Sequence, residues 1–184
     1  MINGERWLKD GKHCATTVIK NKNYTHSSTY DLPVRPSPNL PNSKAINLYP
    51  SLCLFEGTNI SVGRGTKFPF QHFGAPYIQS NYSFVPKSGK GSKYPKHENK
   101  ICYGTDLRFQ ENYLDQLNLV WLINCYKESS EKKKFFNNFF DKLAGNDKLR
   151  KQIISGKSND EIRKSWQNDL VKFKKIRNKY LLYN

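Results

Sequence analysis

The spacing of apolar and polar positions divides the chain, near residue 106, into a loop-rich first half and a helical second half. In the first half, β-branched residues at 14–20 (CATTVIK) predict a strand, and the apolar run at 45–57 (AINLYPSLCLFEG) has the composition of a buried strand. Between these runs, residues 32–42 contain four prolines. Proline lacks an amide donor and restricts the preceding residue, so this stretch is predicted to be an ordered, extended loop.

Residues 58–104 are rich in glycine, proline, serine and aromatic residues, which indicates short strands and functional loops. Within them, the polar and basic stretch 86–100 (PKSGKGSKYPKHENK) predicts a mobile surface loop.

Apolar residues at steps of three and four predict helices in the second half. The periodic positions include Leu114, Leu117, Val120 and Trp121, then Phe135, Phe136, Phe139 and Phe140. Gly145 and Gly156 are expected to end two of these helices. Ser158 followed by Glu161 is a capping box that opens a last helix with one apolar face. That face is formed by Ile162, Trp166, Leu170, Phe173, Ile176 and Tyr180.

Together these elements predict an α/β fold class: the end of a Rossmann-like domain followed by a small α+β domain with a helical C-terminus. We place the boundary near residue 60, with residues 1–60 in the first part and 61–184 in the second. We find no internal repeat.

The composition predicts a packed core and gives the chain a strong positive charge. Of the 184 residues, 36% are hydrophobic and 14% aromatic, and the formal net charge is +16. This charge fits a nucleic-acid binder, a protein that meets an anionic wall polymer, or a surface enriched in solvated lysine. The third interpretation is favoured, since lysine and asparagine are abundant throughout, and no nucleic-acid motif is present.

The cysteines, the apolar runs and the N-terminus bear on metal sites, membrane spans and export. Cys14, Cys53, Cys102 and Cys125 have no zinc-ligand spacing, so no metal or cofactor is predicted. Cys53 and Cys125 lie in apolar runs and are expected in the core, and the sequence names no disulfide. No run is long enough to span a membrane, and no export signal follows Met1. The opening residues MINGERWL are typical of the interior of a domain, so we expect the chain to be part of something longer.

Glu56 is the candidate catalytic residue. At the end of a central strand it would lie beside a glycine-rich loop, where open α/β sheets bind ligands, and partial desolvation would suit it to general-acid work. Two structural alternatives remain open: capping backbone amides of the turn, or pairing with Arg64.

Four more side chains are candidates for ligand binding. Arg64 lies between Gly63 and Gly65, which would let the backbone approach a ligand and leave the guanidinium free for an anion, although SVGRGT lacks phosphate-loop spacing. Tyr24 and His26 lie in a polar loop, and Asn39 is an amide in a rigid stretch. A tight turn, a merely exposed histidine and an Asx-turn are the respective structural alternatives.

Several strings resemble a bacterial family of peptidoglycan exo-β-N-acetylmuramidases, formerly a domain of unknown function. They are MINGERWL, NYTH, LPVRPSPNLPN, AINLYPSLCLFEGTNISVGRGTKFPFQHFGAP, CYGTDL and the tail from Ile153 to Tyr183. The resemblance covers essentially the whole chain. It implies a protein about twice as long, with a Rossmann-like first domain, a smaller C-terminal domain and an active site between them.

The resemblance also implies a function, which is release of N-acetylmuramic acid from the non-reducing end of peptidoglycan fragments, outside the cytoplasm. It implies that Glu56 is an acid/base or a hydroxyl-binding carboxylate, that Asn39 and Gln71 hold hydroxyls or the acetamido group, and that Arg64 binds the lactyl carboxylate. It places further catalytic groups upstream, in a Glu-His-Gly stretch that this chain lacks. A non-catalytic sugar-binding module and, less favoured, a nucleic-acid binder remain alternatives. The oligomeric state does not follow from the sequence.

Overall fold

A computed structural model describes residues 1–183 of the protein. The chain divides into two compact units, one formed by Asp31–Ile162 and a smaller one formed by residues 1–30 with 163–183. The unit Asp31–Ile162 combines short helices with a small sheet. Helix α1 spans Ser43–Leu52 and continues into a 3-10 turn at Cys53–Gly57.

The sheet of this unit has three antiparallel strands in the order β1-β3-β2. Strand β1 spans His72–Ala75, β2 spans Tyr82–Phe84 and β3 spans Cys102–Asp106. In the register, His72 lies opposite Asp106, and Phe84 lies opposite Cys102. All described strand pairs are antiparallel. Because helices and this sheet occur in the same unit, the prediction of a fold that mixes helices and strands is confirmed. The Rossmann-like part and the boundary at residue 60 stay predictions.

Short helices follow the sheet: α2 at Val120–Glu128, α3 at Lys132–Phe135, α4 at Phe140–Ala144 and α5 at Lys148–Ile154. The core is largely aliphatic and aromatic, and Phe55 of the 3-10 turn stacks on Phe73 of β1 with ring centroids 5.0 Å apart. Its largest fully buried side chains include Phe55, Phe135, Phe140, Leu48, Leu52 and Leu122. Burial of such a cluster is the main stabilising contribution in a domain of this size.

The predicted strand at 45–57 is wrong, because this run forms α1 and the 3-10 turn. Ala45, Leu48 and Leu52 are buried at steps of three and four, which is a helical period. The Asn42 side chain also caps the helix by accepting a hydrogen bond from the Ala45 amide at 2.9 Å. Pro50 lies inside α1 and obscured this signal in the sequence.

The helix expected around Leu114 and Leu117 is also wrong, since α2 begins only at Val120. The Asn47 side chain accepts a hydrogen bond from the Leu114 amide at 2.8 Å and donates one to its carbonyl at 2.9 Å. These backbone groups are therefore paired with α1 and cannot join a helical ladder.

Two of the predicted helix ends are confirmed. Gly145 follows α4 with φ of 80°, and Gly156 lies just after α5 with the same φ. The capping box is confirmed as well: the Ser158 amide donates to the Glu161 carboxylate at 2.8 Å, and the Ser158 hydroxyl accepts from the Glu161 amide at 3.3 Å.

The predicted last helix is two helices, α6 at Asn159–Ser165 and α7 at Gln167–Asn178, with the break at Trp166. Ile162 is fully buried, but Leu170 and Phe173 are 40% and 41% exposed, so the predicted apolar face is not buried along its length.

The smaller unit contains α7 and the N-terminal segment. The Tyr180 hydroxyl donates to the Glu5 carboxylate at 2.7 Å, and the Lys179 ammonium lies 3.1 Å from the same oxygen. The predicted strand at 14–20 is wrong, because these residues have no regular secondary structure and are exposed. Ile19 is 90% exposed and has no described strand to pair with.

Candidate active-site pocket around Glu56 and Arg64

Glu56 lies on the 3-10 turn that follows α1, and the prediction that it ends a central strand is wrong. The turn is fixed from outside by Asn137, whose side chain donates to the Glu56 carbonyl at 3.3 Å and whose amide donates to the Gly57 carbonyl at 2.9 Å. The Glu56 side chain is 24% exposed. Its carboxylate therefore has a defined backbone position and partial access to solvent.

The Arg64 guanidinium pairs with Glu56, with Nη1 2.9 Å from the carboxylate. This is one of the alternatives left open from the sequence. Arg64 Nη2 makes a long contact of 3.4 Å with the Gly91 carbonyl, and the buried Nε has no hydrogen-bond partner. In two other arginines, Nε and Nη2 both donate to one carboxylate: Arg108 donates to Asp106, and Arg150 donates to Asp141. In Arg64 these two nitrogens hold no carboxylate.

The turn that carries Arg64 packs against the His72 ring through Gly63. Gly63 has φ of 73°, and a side chain at this position would meet the His72 ring at 2.2 Å. The glycine is thus required by backbone conformation and by close packing on His72. That this glycine also lets the backbone approach a ligand stays a prediction.

His72 is 1% exposed and links this turn to the sheet. Its Nδ1 lies 2.6 Å from the Tyr82 hydroxyl, and its Nε2 lies 3.1 Å from the Thr66 hydroxyl, which in turn donates to the Gly63 carbonyl at 2.7 Å. Because Thr66 uses its proton on Gly63, it accepts from Nε2, and Nδ1 accepts from Tyr82. Burial lowers the pKa of His72 from 6.5 to about 4, which keeps the ring in this neutral state.

A pocket of about 540 Å³ opens beside Glu56 and Arg64. Its other wall is the basic stretch 86–100. The remaining lining residues are Ile60, Ser61, Val62, Gly91, Ser92, Lys93, Tyr94, Pro95 and Lys96. Sequence reasoning missed Tyr94 and the two lysines, although a proline inside a lysine-rich loop was a signal of order, and Pro95 is buried.

The stretch 86–100 is tied to the body of its unit, contrary to a loop lying only on the surface. The Lys87 amide donates to the Gly65 carbonyl at 2.9 Å. The partly buried Lys96 ammonium donates to the Phe55 carbonyl at 3.1 Å and also to the Thr58 carbonyl. Burial lowers the pKa of Lys96 from 10.5 to about 8.

Of the other candidates, Asn39 contacts a residue that lines the pocket, Gln71 does not line it, and Tyr24 and His26 belong to the smaller unit. The Asn39 side chain donates to the Gly91 carbonyl at 2.8 Å, the same carbonyl that Arg64 contacts. Gln71 is 5% exposed and does not line the pocket; its Oε1 accepts from Asn42 at 3.2 Å, and its Nε2 has no partner. Tyr24 and His26 lie in the smaller unit against the Tyr183 ring, at 5.0 and 6.0 Å between centroids.

Metal and membrane features can be assessed for residues 1–183. Within that range no three His, Cys, Asp or Glu side chains are grouped so that they could hold a metal ion. The cysteines are free thiols; Cys125 is buried as expected, and Cys53 is only partly buried. None of the described helices combines the length and apolar character needed to cross a bilayer.

Comparison of the sequence with protein families assigns the chain to one class of protein, the exo-β-N-acetylmuramidases. Residues 47–183 match the family model described as "Exo-beta-N-acetylmuramidase NamZ, C-terminal". The chain therefore belongs to this family, and the resemblance drawn from the sequence is confirmed.

Similar proteins support this assignment. The peptidoglycan β-N-acetylmuramidase NamZ of Bacillus subtilis (strain 168) is 35% identical over 195 residues, which cover 91% of this chain and 45% of that protein. A crystal structure of a DUF1343-family protein from Bacteroides fragilis has 49% identity and a TM-score of 0.91 over 100% of this chain and 53% of its own. A second DUF1343-family protein from the same organism has 18% identity and a TM-score of 0.76, with 54% of its length covered, and shows the fold alone. The chain thus spans about half the length of these relatives.

Proposed function

We propose that this chain forms part of a cell-wall glycoside hydrolase that releases N-acetylmuramic acid from the non-reducing end of peptidoglycan fragments. The observation that carries the proposal is the pocket of about 540 Å³ in which the Arg64 guanidinium, bound to Glu56 through Nη1, lies beside that partly exposed carboxylate. A planar guanidinium edge suits bidentate recognition of a carboxylate, and N-acetylmuramic acid carries one on its lactyl group.

In this proposal Arg64 holds two carboxylates at once. Nη1 keeps Glu56, and the lactyl carboxylate takes the place of the Gly91 carbonyl at Nη2, because Nε is buried. Asn39 donates to the same carbonyl, and its proposed role in holding a sugar hydroxyl or the acetamido group would require this hydrogen bond to be exchanged for one to the ligand. Arg64 then gives the site its preference for N-acetylmuramic acid over N-acetylglucosamine, which has no lactyl acid.

Glu56 is proposed as the acid/base or the hydroxyl-binding carboxylate of the site. Its pairing with Arg64 leaves lone pairs that accept hydrogen bonds, which favours binding a sugar hydroxyl or a water over donating a proton. Glycoside hydrolysis uses two carboxyl groups in most families, and Glu56 is the single carboxylate among the described residues of this pocket. The second catalytic group is therefore proposed to lie in the part of the longer relatives that this chain does not span. Such an enzyme acts on the wall, in the periplasm or outside the cell.

Binding to the chain tests the sugar-recognition part of this proposal. Calorimetric titration with N-acetylmuramic acid and with N-acetylglucosamine should show tighter binding of the first. Arg64→Lys keeps the charge but loses the fork, and should weaken N-acetylmuramic acid binding roughly tenfold, with a larger loss for Arg64→Ala. Arg150→Lys is the matched control, because Arg150 pairs with Asp141 outside this pocket. An equal loss for both sugars would mean that Arg64 only holds Glu56.

Hydrolysis of a chromogenic N-acetylmuramide separates the enzyme from the non-catalytic binding module. Release of the chromophore that Glu56→Gln abolishes supports the enzyme, and Glu131→Gln, at an exposed carboxylate paired with Lys134, is the control. Because the second catalytic group is proposed to lie outside this chain, the assay uses a protein that spans the full length of its relatives, and such a protein that binds the sugar and releases nothing is the binding module.

A further inference from the structure

Two carbonyls flanking Glu56 point toward the same ammonium group. The Lys96 Nζ donates to the Phe55 carbonyl at 3.1 Å and to the Thr58 carbonyl, so it bridges the residue before Glu56 and the residue two positions after it. The Phe55 carbonyl also accepts from the Thr58 amide at 3.0 Å and from the Thr58 hydroxyl at 2.8 Å. The Phe55 carbonyl thus accepts three hydrogen bonds that hold the turn together.

The neighbouring residue extends this attachment. The His97 ring lies with Nε2 2.6 Å from the Asn59 carbonyl, and because a carbonyl only accepts, Nε2 donates. Two consecutive side chains of the stretch 86–100 thus hold the backbone from Phe55 to Asn59. Lys96 also lines the pocket that contains Glu56 and Arg64.

We propose that Lys96 is a positioning residue that fixes the Glu56 carboxylate by bridging the two carbonyls on either side of it. The inference rests on the proposed function for the role of Glu56 but not for the bridge itself. A charged donor in a partly buried site makes stronger hydrogen bonds than a neutral one, so the ammonium holds the turn more firmly than an amide would. Through this bridge the stretch 86–100 determines the position of the Glu56 carboxylate in the pocket, although the stretch itself contains none of the proposed catalytic residues.

The charge of Lys96 gives the bridge a measurable signature. Burial holds the pKa of Lys96 at about 8; the Glu56 carboxylate raises it and Arg64 lowers it. Other groups near the site are Tyr49, Lys93, Tyr94, His97 and the Cys53 thiol on the same turn, and burial raises the pKa values of Tyr49 and Cys53 above their ordinary values. The Lys96 ammonium contacts the carbonyls of the turn directly, so loss of its proton near pH 8 should change the turn itself.

The test follows the backbone amides of residues 56–59 by ¹H–¹⁵N NMR between pH 6 and 10. We expect the chemical shifts of these amides to change together with a midpoint near pH 8. Lys96→Arg should remove this midpoint, because its guanidinium stays charged throughout the range. Lys93→Arg, at an exposed lysine of the same pocket, should keep it. Absence of the midpoint in the wild type, or its persistence in Lys96→Arg, overturns the bridge.

A second measurement connects the bridge to the site. Lys96→Met keeps most of the apolar stem and removes the donor, and should weaken binding of N-acetylmuramic acid about tenfold, with Lys96→Arg recovering part of the loss. Unchanged binding in Lys96→Met would refute the positioning role. The failure modes are distinct: if the wild type shows the midpoint but binds no N-acetylmuramic acid, the proposed function fails and the bridge stands. Where Lys96→Met does not fold, the comparison of the wild type with Lys96→Arg decides both points.

Discussion

The buried His72 ring should make this protein lose stability in mild acid. In the folded state Nδ1 accepts from Tyr82 and Nε2 donates to Thr66, so a proton on Nδ1 would break the hydrogen bond from Tyr82 and place a charge in a site that is 1% exposed. The nearest charged groups partly offset each other, since Asp106 raises the pKa of His72 and Arg108 lowers it. Burial is therefore the dominant cause of the lowered pKa.

The magnitude follows from the difference between the folded and unfolded pKa values of His72. The pKa falls from 6.5 to about 4, so between these values the unfolded chain binds a proton that the folded chain does not. The free energy of unfolding then decreases as the pH falls, in total by about 3 kcal/mol between pH 7 and 4. The contribution is fully present above pH 6.5 and is lost progressively below it.

Urea unfolding followed by tryptophan fluorescence at pH 7, 5.5 and 4.5 measures this loss. The range stops at pH 4.5 because carboxylates with lowered pKa, such as Asp106, lose most of their stabilising effect at lower pH. His72→Gln should be less stable than the wild type at pH 7 and should show a smaller decrease toward pH 4.5. His97, whose pKa burial also lowers, contributes in both proteins and so cancels in the comparison. An NMR titration that places the His72 pKa near 6.5, or the same acid sensitivity in His72→Gln, would refute the reasoning.

Two further predictions concern the packing against His72 and the thiols. Gly63→Ala should destabilise the protein by more than the roughly 1–2 kcal/mol expected for positive φ alone, because the new methyl would meet the His72 ring. Gly145→Ala is the control, with φ of 80° and nothing within 4 Å, and equal changes in Tm for both variants would contradict the packing role. At pH 8 iodoacetamide should modify exposed Cys14 first, while buried Cys102 and Cys125, whose pKa values burial raises to about 11 and about 12, react only on unfolding. Mass spectrometry measures this order, and a chelator should leave Tm unchanged, since no metal-ligand spacing is found among the cysteines.

The sequence predicted local features that depend on a few adjacent residues. The glycines after α4 and α5 and the capping box at Ser158 and Glu161 were found because each uses a short, specific backbone requirement. The wrong predictions had two causes, a misleading local signal or a partner far away in the sequence. Residues 45–57 form a helix whose signal was obscured by Pro50, and the backbone at Leu114 is held by Asn47, which lies 67 positions earlier.

The candidate site shows the same division. Glu56 and Arg64 were found together because they lie eight residues apart in one stretch, and their ion pair was among the alternatives. The opposite wall was missed, because Lys96 reaches Phe55 across 41 positions and a lysine-rich loop resembles a solvated surface. Gln71 lies within the stretch that resembles the family, yet its side chain is buried against Asn42, away from the pocket.

The arrangement also explains why a carboxylate and two cations stand together in so basic a chain. Glu56 receives Arg64 on its carboxylate and Lys96 on the carbonyls around it, so the two cations act on different parts of the same turn. Arg64 is itself held from behind, through Gly63, Thr66 and His72, to Tyr82 of the sheet. Because both attachments are hydrogen-bonded, the Arg64 guanidinium is held in one orientation beside Glu56. A ligand carboxylate that binds this guanidinium would not have to order the arginine first, which lowers the entropic cost of recognition. Loss of the Lys96 proton above about pH 8 should therefore weaken the proposed sugar binding, in a pH range where carboxylates and guanidinium groups keep their charge.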